Sequence, residues 1–182
     1  MSRRRLLRAT GTAFAALLAS GCQVRAGRTC SAGAAPAYGP LAADPAGVLD
    51  LPRGFRYRVL SQLGDRMDDG LSVPDKADGM GGFATGADEI VLVRNHELVS
   101  SDDAGGTLST GFGTRHGQVL PGGTTHVVLD AQSLAVRRQY RSLSGTIRNC
   151  AGGVTPWGSW LSCEEAPTGP NQPYGEGLAR NH

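Results

Sequence analysis

Aromatic residues make up only 5% of the 182 positions, so any core this chain builds is thin. No RNA-binding aromatic motif is present. The patterns GxxxxGK[ST], HExxH and GxSxG are also missing, which leaves no phosphate loop, zinc-peptidase helix or serine nucleophile elbow to reason from. No stretch holds apolar residues at helical spacing for three turns. Glycine is plentiful, at 27 of 182, and the many turns this implies favour an all-β fold over a helical one.

Long apolar runs are equally scarce. The run from Ala9 to Ala19 is too short to span a bilayer, and it follows Arg3, Arg4, Arg5 and Arg8, the layout of an export signal over residues 1–21. SRRRLLR resembles the twin-arginine pattern S-R-R-x-F-L-K, which names the twin-arginine export machinery as a partner. An ordinary secretory signal with one extra arginine is the plainer alternative. Ala19-Ser20-Gly21-Cys22 looks like a lipoprotein processing box, with Ala19 where Leu is usual, and both lipidation at Cys22 and cleavage without it stay open. The expected location is periplasmic, extracellular or cell-surface, with membrane contact only through a lipid on Cys22. The whole chain has 18 Lys and Arg against 16 Asp and Glu; losing the four signal arginines leaves 14 against 16, a net charge of −2. Nothing basic is left to hold nucleic acid.

Residues 22–47 are rich in Ala, Gly and Pro and read as a flexible tether. Residues 48–182 are then one domain of roughly 135 residues, an ordinary size. GFRYRVLS (54–61) alternates in strand fashion, with Phe55, Tyr57 and Val59 on one face. EIVLV (89–93) reads as a strand covered on both sides, and HVVLD (126–130) with VRRQYRSL (136–143) as a hairpin across AQSLA. Ser100 to Gly123 is a long Gly- and Thr-rich loop. Strands of similar length between turn signals suggest stacked small sheets, as in a propeller, of which this length provides two or three blades.

NCAGGVTPWGSWLSCEE (149–165) is the densest chemistry in the chain. Pro156 suits a type I turn and Gly158 suits the left-handed residue that completes a three-residue hairpin loop. That loop sets Thr155 opposite Ser159, Val154 opposite Trp160, Cys150 opposite Glu164 and Asn149 opposite Glu165, so a thiol and a carboxylate converge. A two-residue loop sets Cys150 opposite Cys163 instead, within disulfide reach. Both registers stay open on spacing, as do a structural disulfide and a packing role for Trp157 and Trp160. Gly152-Gly153 marks a bulge or a close approach by a ligand or another backbone. Arg94, Asn95, His96 and Glu97 end the covered strand and offer nitrogen and oxygen ligands. Asp68-Asp69-Gly70 and DKADG (75–79) lack the spacing of a calcium loop and read as turns.

GPLAADPAGVLDLPRGFRYRVLS, DGMGGF, LVRNHE, PGGTT and SLSGTIRNCAGGVTPWGSWLSCEE, in that order from about Gly39 to Glu165, together resemble the PhoX family of secreted bacterial alkaline phosphatases. The resemblance implies a propeller-like phosphomonoesterase built around iron and calcium. It implies an iron-ligand role for Cys150, ion-binding roles for Glu164 or Glu165, and supporting positions for Asn95, Glu97 and Asn149, with Cys163 structural. Arginine forks phosphate, so Arg148 or Arg94 is expected to orient a phosphate monoester, Arg148 being placed in the catalytic set. Family members run to several hundred residues, and this chain is therefore expected to be the N-terminal part of such a domain, weakly active or inactive alone. The competing expectation is an exported binding lipoprotein of propeller-like fold, stabilised by calcium and without catalysis.

Overall fold

The computed structural model describes residues 37–182. The export signal, Cys22, Cys30 and most of the tether lie outside the described residues. The chain divides into two units, 1–57 and 58–182. In the first, β1 (Leu41–Ala42) pairs antiparallel with β2 (Leu51–Pro52), so pairing reaches back to a segment whose composition reads as a tether. The Asp44 carboxylate closes the connection. It accepts the Tyr57 hydroxyl at 2.6 Å and the N–H groups of Val48, Ala46 and Leu49, and these donors hold it down to about 2.

The second unit contains β3 (Ala77–Thr85), β4 (Glu89–His96), β5 (Thr114–Arg115), β6 (Gln118–Val119), β7 (Gly122–Asp130), β8 (Val136–Thr146), β9 (Asn149–Val154) and β10 (Trp160–Glu164). There is no helix among the described residues. The principal sheet has the order β3-β4-β7-β8, all antiparallel, while β5-β6 and β9-β10 are separate two-stranded ribbons. The 126–143 hairpin forms as expected, with β7 extended back to Gly122. EIVLV lies on β4, an interior strand, although only its last residue, Val93, is buried on this sheet, whereas Val127, Val128 and Leu129 of β7 are all buried. A second small cluster packs Leu120 with Ile147 and Leu178.

GFRYRVLS is not a strand. It has no ladder partner, and Phe55, Tyr57 and Val59 are all exposed. Alternation specifies two faces but supplies no neighbour to pair with, and two of its side chains are tied down locally: the Tyr57 hydroxyl donates to Asp44, and the Arg58 guanidinium to the carbonyls of Ser133 and Leu134.

The edge strand β8 is covered by the DDG turn. Gln139 N–H donates to Asp68 at 2.7 Å and Arg141 N–H to Asp69 at 2.6 Å, so edge donors that could recruit a foreign strand are occupied. Beneath the site, His96 is fully buried. Its Nδ1 faces the Asp75 carbonyl at 2.8 Å and its Nε2 faces the Thr125 hydroxyl at 2.9 Å. A carbonyl only accepts, so Nδ1 carries the proton and Nε2 accepts from Thr125.

Burial pushes His96 from 6.5 down to about 4, so the fold requires the neutral ring. With the folded value depressed, this stabilisation is complete above pH 6.5 and drains away as pH falls towards 4, by up to about 3 kcal/mol. Urea midpoints of the metal-free chain at pH 7 and pH 4.5 are expected to diverge more than those of His96→Gln; equal divergence would remove His96 as the cause.

Candidate metal centre

The β9–β10 hairpin turns as its sequence dictates. Thr155 N–H bonds Ser159 O at 2.8 Å, Gly158 N–H bonds Thr155 O at 3.1 Å, and the Thr155 hydroxyl accepts Ser159 N–H at 2.9 Å. Gly158 has φ +83°, the left-handed position a three-residue loop needs. Trp160 pairs with Val154, Leu161 with Gly153 and Ser162 with Gly152. Trp157 sits exposed at the tip, whereas Trp160 packs inward against Gly81 and Gly152, where an added Cβ would meet its ring at 2.6 and 2.3 Å. The close approach that Gly152 permits is therefore by an indole of the facing strand.

Beyond Ser162 the register slips by one. Glu164 pairs with Asn149, and Glu165 N–H bonds Arg148 O at 3.1 Å. The expected pairings of Cys150 with Glu164 and of Asn149 with Glu165 do not form. The reason is Asn95, whose Nδ2 donates to two successive carbonyls, Cys150 O at 2.8 Å and Ala151 O at 2.9 Å. Carbonyls of a regular strand point alternately to opposite sides, so drawing both onto one amide requires a bulge, with Cys150 and Ala151 together facing Cys163. Both cysteines are free thiols.

Asn95 Oδ1 is occupied as well. It accepts Trp160 Nε1–H at 3.0 Å and the Ser162 hydroxyl at 2.9 Å. Asn95 is thus a buried clamp with all four of its hydrogen-bonding places filled by protein groups. Asn149 is similarly enclosed, accepting Thr146 Oγ1–H at 2.6 Å and donating to Ser162 Oγ at 2.8 Å. Glu164 turns to the same interior side, where its Oε1 accepts Ile147 N–H at 2.5 Å and faces His182 Nδ1 at 2.9 Å. Arg94 is buried on its own, with Ser61 and Thr125 as hydroxyl partners.

Cys150 points the other way. Its Sγ and one carboxylate oxygen each of Asp78 and Glu97 lie within 4.8 Å of one another. Hydrogen bonding to Glu165, then to Asp78, pushes the thiol from 9.0 up to about 11. Glu97 Oε1 also accepts Arg148 Nη2 at 2.8 Å and Nε at 3.1 Å, while Glu165 Oε2 lies 3.5 Å from the same Nη2. Both glutamates hold the guanidinium above its ordinary value, Glu97 the more strongly. Arg148 reaches this position with φ +50°, a left-handed conformation uncommon for a non-glycine residue.

Of the six residues expected to hold metal, Cys150, Glu97 and Glu165 meet in one cluster beside Arg148, and Asn95, Asn149 and Glu164 lie in the hydrogen-bonded support behind it. Asp78 was missed, because DKADG reads as a turn. It enters β3 at a second bulge, where Asp78 and Gly79 together oppose Asn95. The adjoining DGMGGF glycines were the available signal: a Cβ on Gly79 would meet Cys150 O at 2.6 Å, so only glycine lets β3 lie this close to β9.

A family model described as Alkaline phosphatase PhoX matches residues 36–137 and 121–180 of the chain. No curated protein and no solved structure matches it.

Asn95→Ala removes four hydrogen bonds made by a fully buried amide to half-buried or exposed partners, which is expected to cost about 2–4 kcal/mol in urea unfolding. Cys150→Ser should cost far less stability while removing the sulfur from the cluster. If the two variants were equally stable, the clamp would not be what holds the hairpin.

Proposed function

Because the chain belongs to the PhoX alkaline phosphatase family, we propose that it serves metal-dependent hydrolysis of phosphate monoesters, with iron and calcium held by Cys150, Asp78, Glu97 and Glu165. The observation that carries this reading is a thiol set among three carboxylates. Such a donor set is poorly satisfied by protons and well satisfied by cations. Sulfur suits iron and carboxylate oxygens suit calcium, so the residues fit the metals that the family implies. When bound, such cations supply positive charge against the phosphoryl oxygens and lower the pKa of water.

The protein's own groups have distinct tasks. Glu97 and Glu165 would be held in place by Arg148, whose Nε and Nη2 face their oxygens. With Nε and Nη2 so engaged, Nη1 of Arg148 is the nitrogen left to donate to the substrate phosphate, from a guanidinium that its carboxylate partners hold rigidly. Asn95 and Asn149 fix the backbone on which Cys150 sits and exclude water beneath it.

The four-stranded antiparallel sheet has the strand number of a propeller blade, which supports the propeller-like architecture. Export by the twin-arginine machinery, with or without a lipid on Cys22, belongs to the same proposal. The dependence on a thiolate gives a direct test. Cation uptake must displace the thiol proton, so the affinity of the reduced chain for ferrous iron should rise about tenfold per pH unit between roughly pH 6 and 9, with a thiolate-to-metal absorption band that Cys150→Ser abolishes. A pH-independent affinity would remove Cys150 from the ligand set. In the metal-loaded protein, Arg148→Ala is expected to lower kcat/KM for a phosphate monoester by about 10- to 100-fold, and Arg148→Lys by less. Turnover indifferent to Arg148→Ala would exclude it from the site, and calcium-dependent stability without any turnover would favour the binding-protein reading.

A further inference from the structure

A second concavity, of about 570 Å³, opens beside the β5–β6 ribbon, and Ser100, Thr107, Ser109, Arg115, His116 and Gln118 contribute to its wall. Its charge balance differs from that of the cluster around Cys150. Asp102 also contributes, but both its oxygens are engaged, Oδ1 with Lys76 at 3.2 Å and Oδ2 with Val99 N–H at 2.8 Å. Arg115 has no such compensation. Its Nη2 donates to the Tyr174 carbonyl at 2.9 Å, its Nε–H is buried without an acceptor, and no carboxylate lies within ion-pair distance of it among the described residues.

The contrast with Arg141 is informative. That guanidinium spends Nε, Nη1 and Nη2 on the carbonyls of Leu143, Ala104 and Pro121 and is a structural strut. Arg115 spends one position on a carbonyl and contributes to the wall of the concavity. The backbone beside it is pinned: the turn at His116 and Gly117 has φ +49° and +80°, and His116 N–H bonds Gly177 O at 2.8 Å. A guanidinium with no carboxylate partner is available as an anion contact. The hydroxyls of Ser100, Thr107 and Ser109, which line the same concavity, are further donors of the kind a tetrahedral oxyanion takes up.

We propose that this concavity is an oxyanion site that takes the phosphate group of a small soluble molecule, distinct from the cluster around Cys150 and independent of metal. The volume, about 570 Å³, leaves room for a body attached to the phosphate. The site does not rest on the phosphatase reading and stands or falls apart from it.

The test is titration of inorganic phosphate into the chelator-treated full chain, followed by calorimetry and by phosphorus NMR. One site is expected, weakened at least tenfold by Arg115→Gln and equally by Ser109→Asp, which sets a negative charge on the exposed rim and leaves the fold intact should Arg115→Gln fail to fold. Cys150→Ser should bind phosphate as the parent does. No binding at millimolar phosphate, an affinity unchanged by Ser109→Asp, or binding lost in Cys150→Ser would each overturn the proposal, the last by assigning the phosphate to the metal cluster.

Discussion

One side-chain amide governs the geometry of the candidate metal centre. Asn95 donates to the carbonyls of Cys150 and Ala151 and accepts from Trp160 and Ser162, so it ties β4 to both arms of the β9–β10 hairpin. An amide has two donors and a carbonyl oxygen with two lone pairs, and here all are used by a side chain that is itself fully buried, so losing it removes four bonds at once. Glu97 lies two residues further along the same chain as Asn95. The distance from its carboxylate to the Cys150 thiol is therefore set by a short, rigid path through one clamp, and no loop has to close for the two to meet.

Close approach is the condition for that clamp. β3 reaches β9 only because Gly79 has no Cβ to strike Cys150 O, and Trp160 lies between strands only because Gly81 and Gly152 leave room for its ring. With few aromatic residues and a thin apolar core, the fold relies on backbone proximity and buried polar bonds where a larger domain would rely on side-chain volume. Buried His96, held between the Asp75 carbonyl and the Thr125 hydroxyl, follows the same logic one residue away from Asn95.

The hairpin was legible because its determinants are local. Pro156 and Gly158 specify the loop, and the loop specifies the inner pairs out to Ser162. The slip beyond Ser162 was not legible, since it is caused by an amide more than fifty residues away. Asp78 was hidden for a related reason: an acid beside glycine looks like a turn until another strand is packed against it. The alternation in GFRYRVLS misled in the opposite direction, because period two records which side chains share a face and says nothing about whether a neighbouring strand exists. The all-β class needed no tertiary information, being implied by glycine content and the lack of helical periodicity.

Charge explains why the cluster tolerates its own crowding. Asp78, Glu97 and Glu165 bring three carboxylates around one thiol, and Arg148 offsets only one of those charges. The thiol answers by keeping its proton, pushed up to about 11, so in the absence of cations the site carries about two net negative charges. Under the proposed function, a thiolate would deepen that deficit, and more than one cation would be needed to fill it. Arg148 cannot fill that role, because its guanidinium is fixed by two glutamates and by a left-handed backbone turn. An immobile cation can anchor ligands and face a phosphate, but it cannot move into the centre of the cluster to replace a metal. The same charge balance separates the cluster at Cys150, where acids outnumber the one guanidinium, from the proposed oxyanion site at Arg115, which has no ion-pair partner among the described residues.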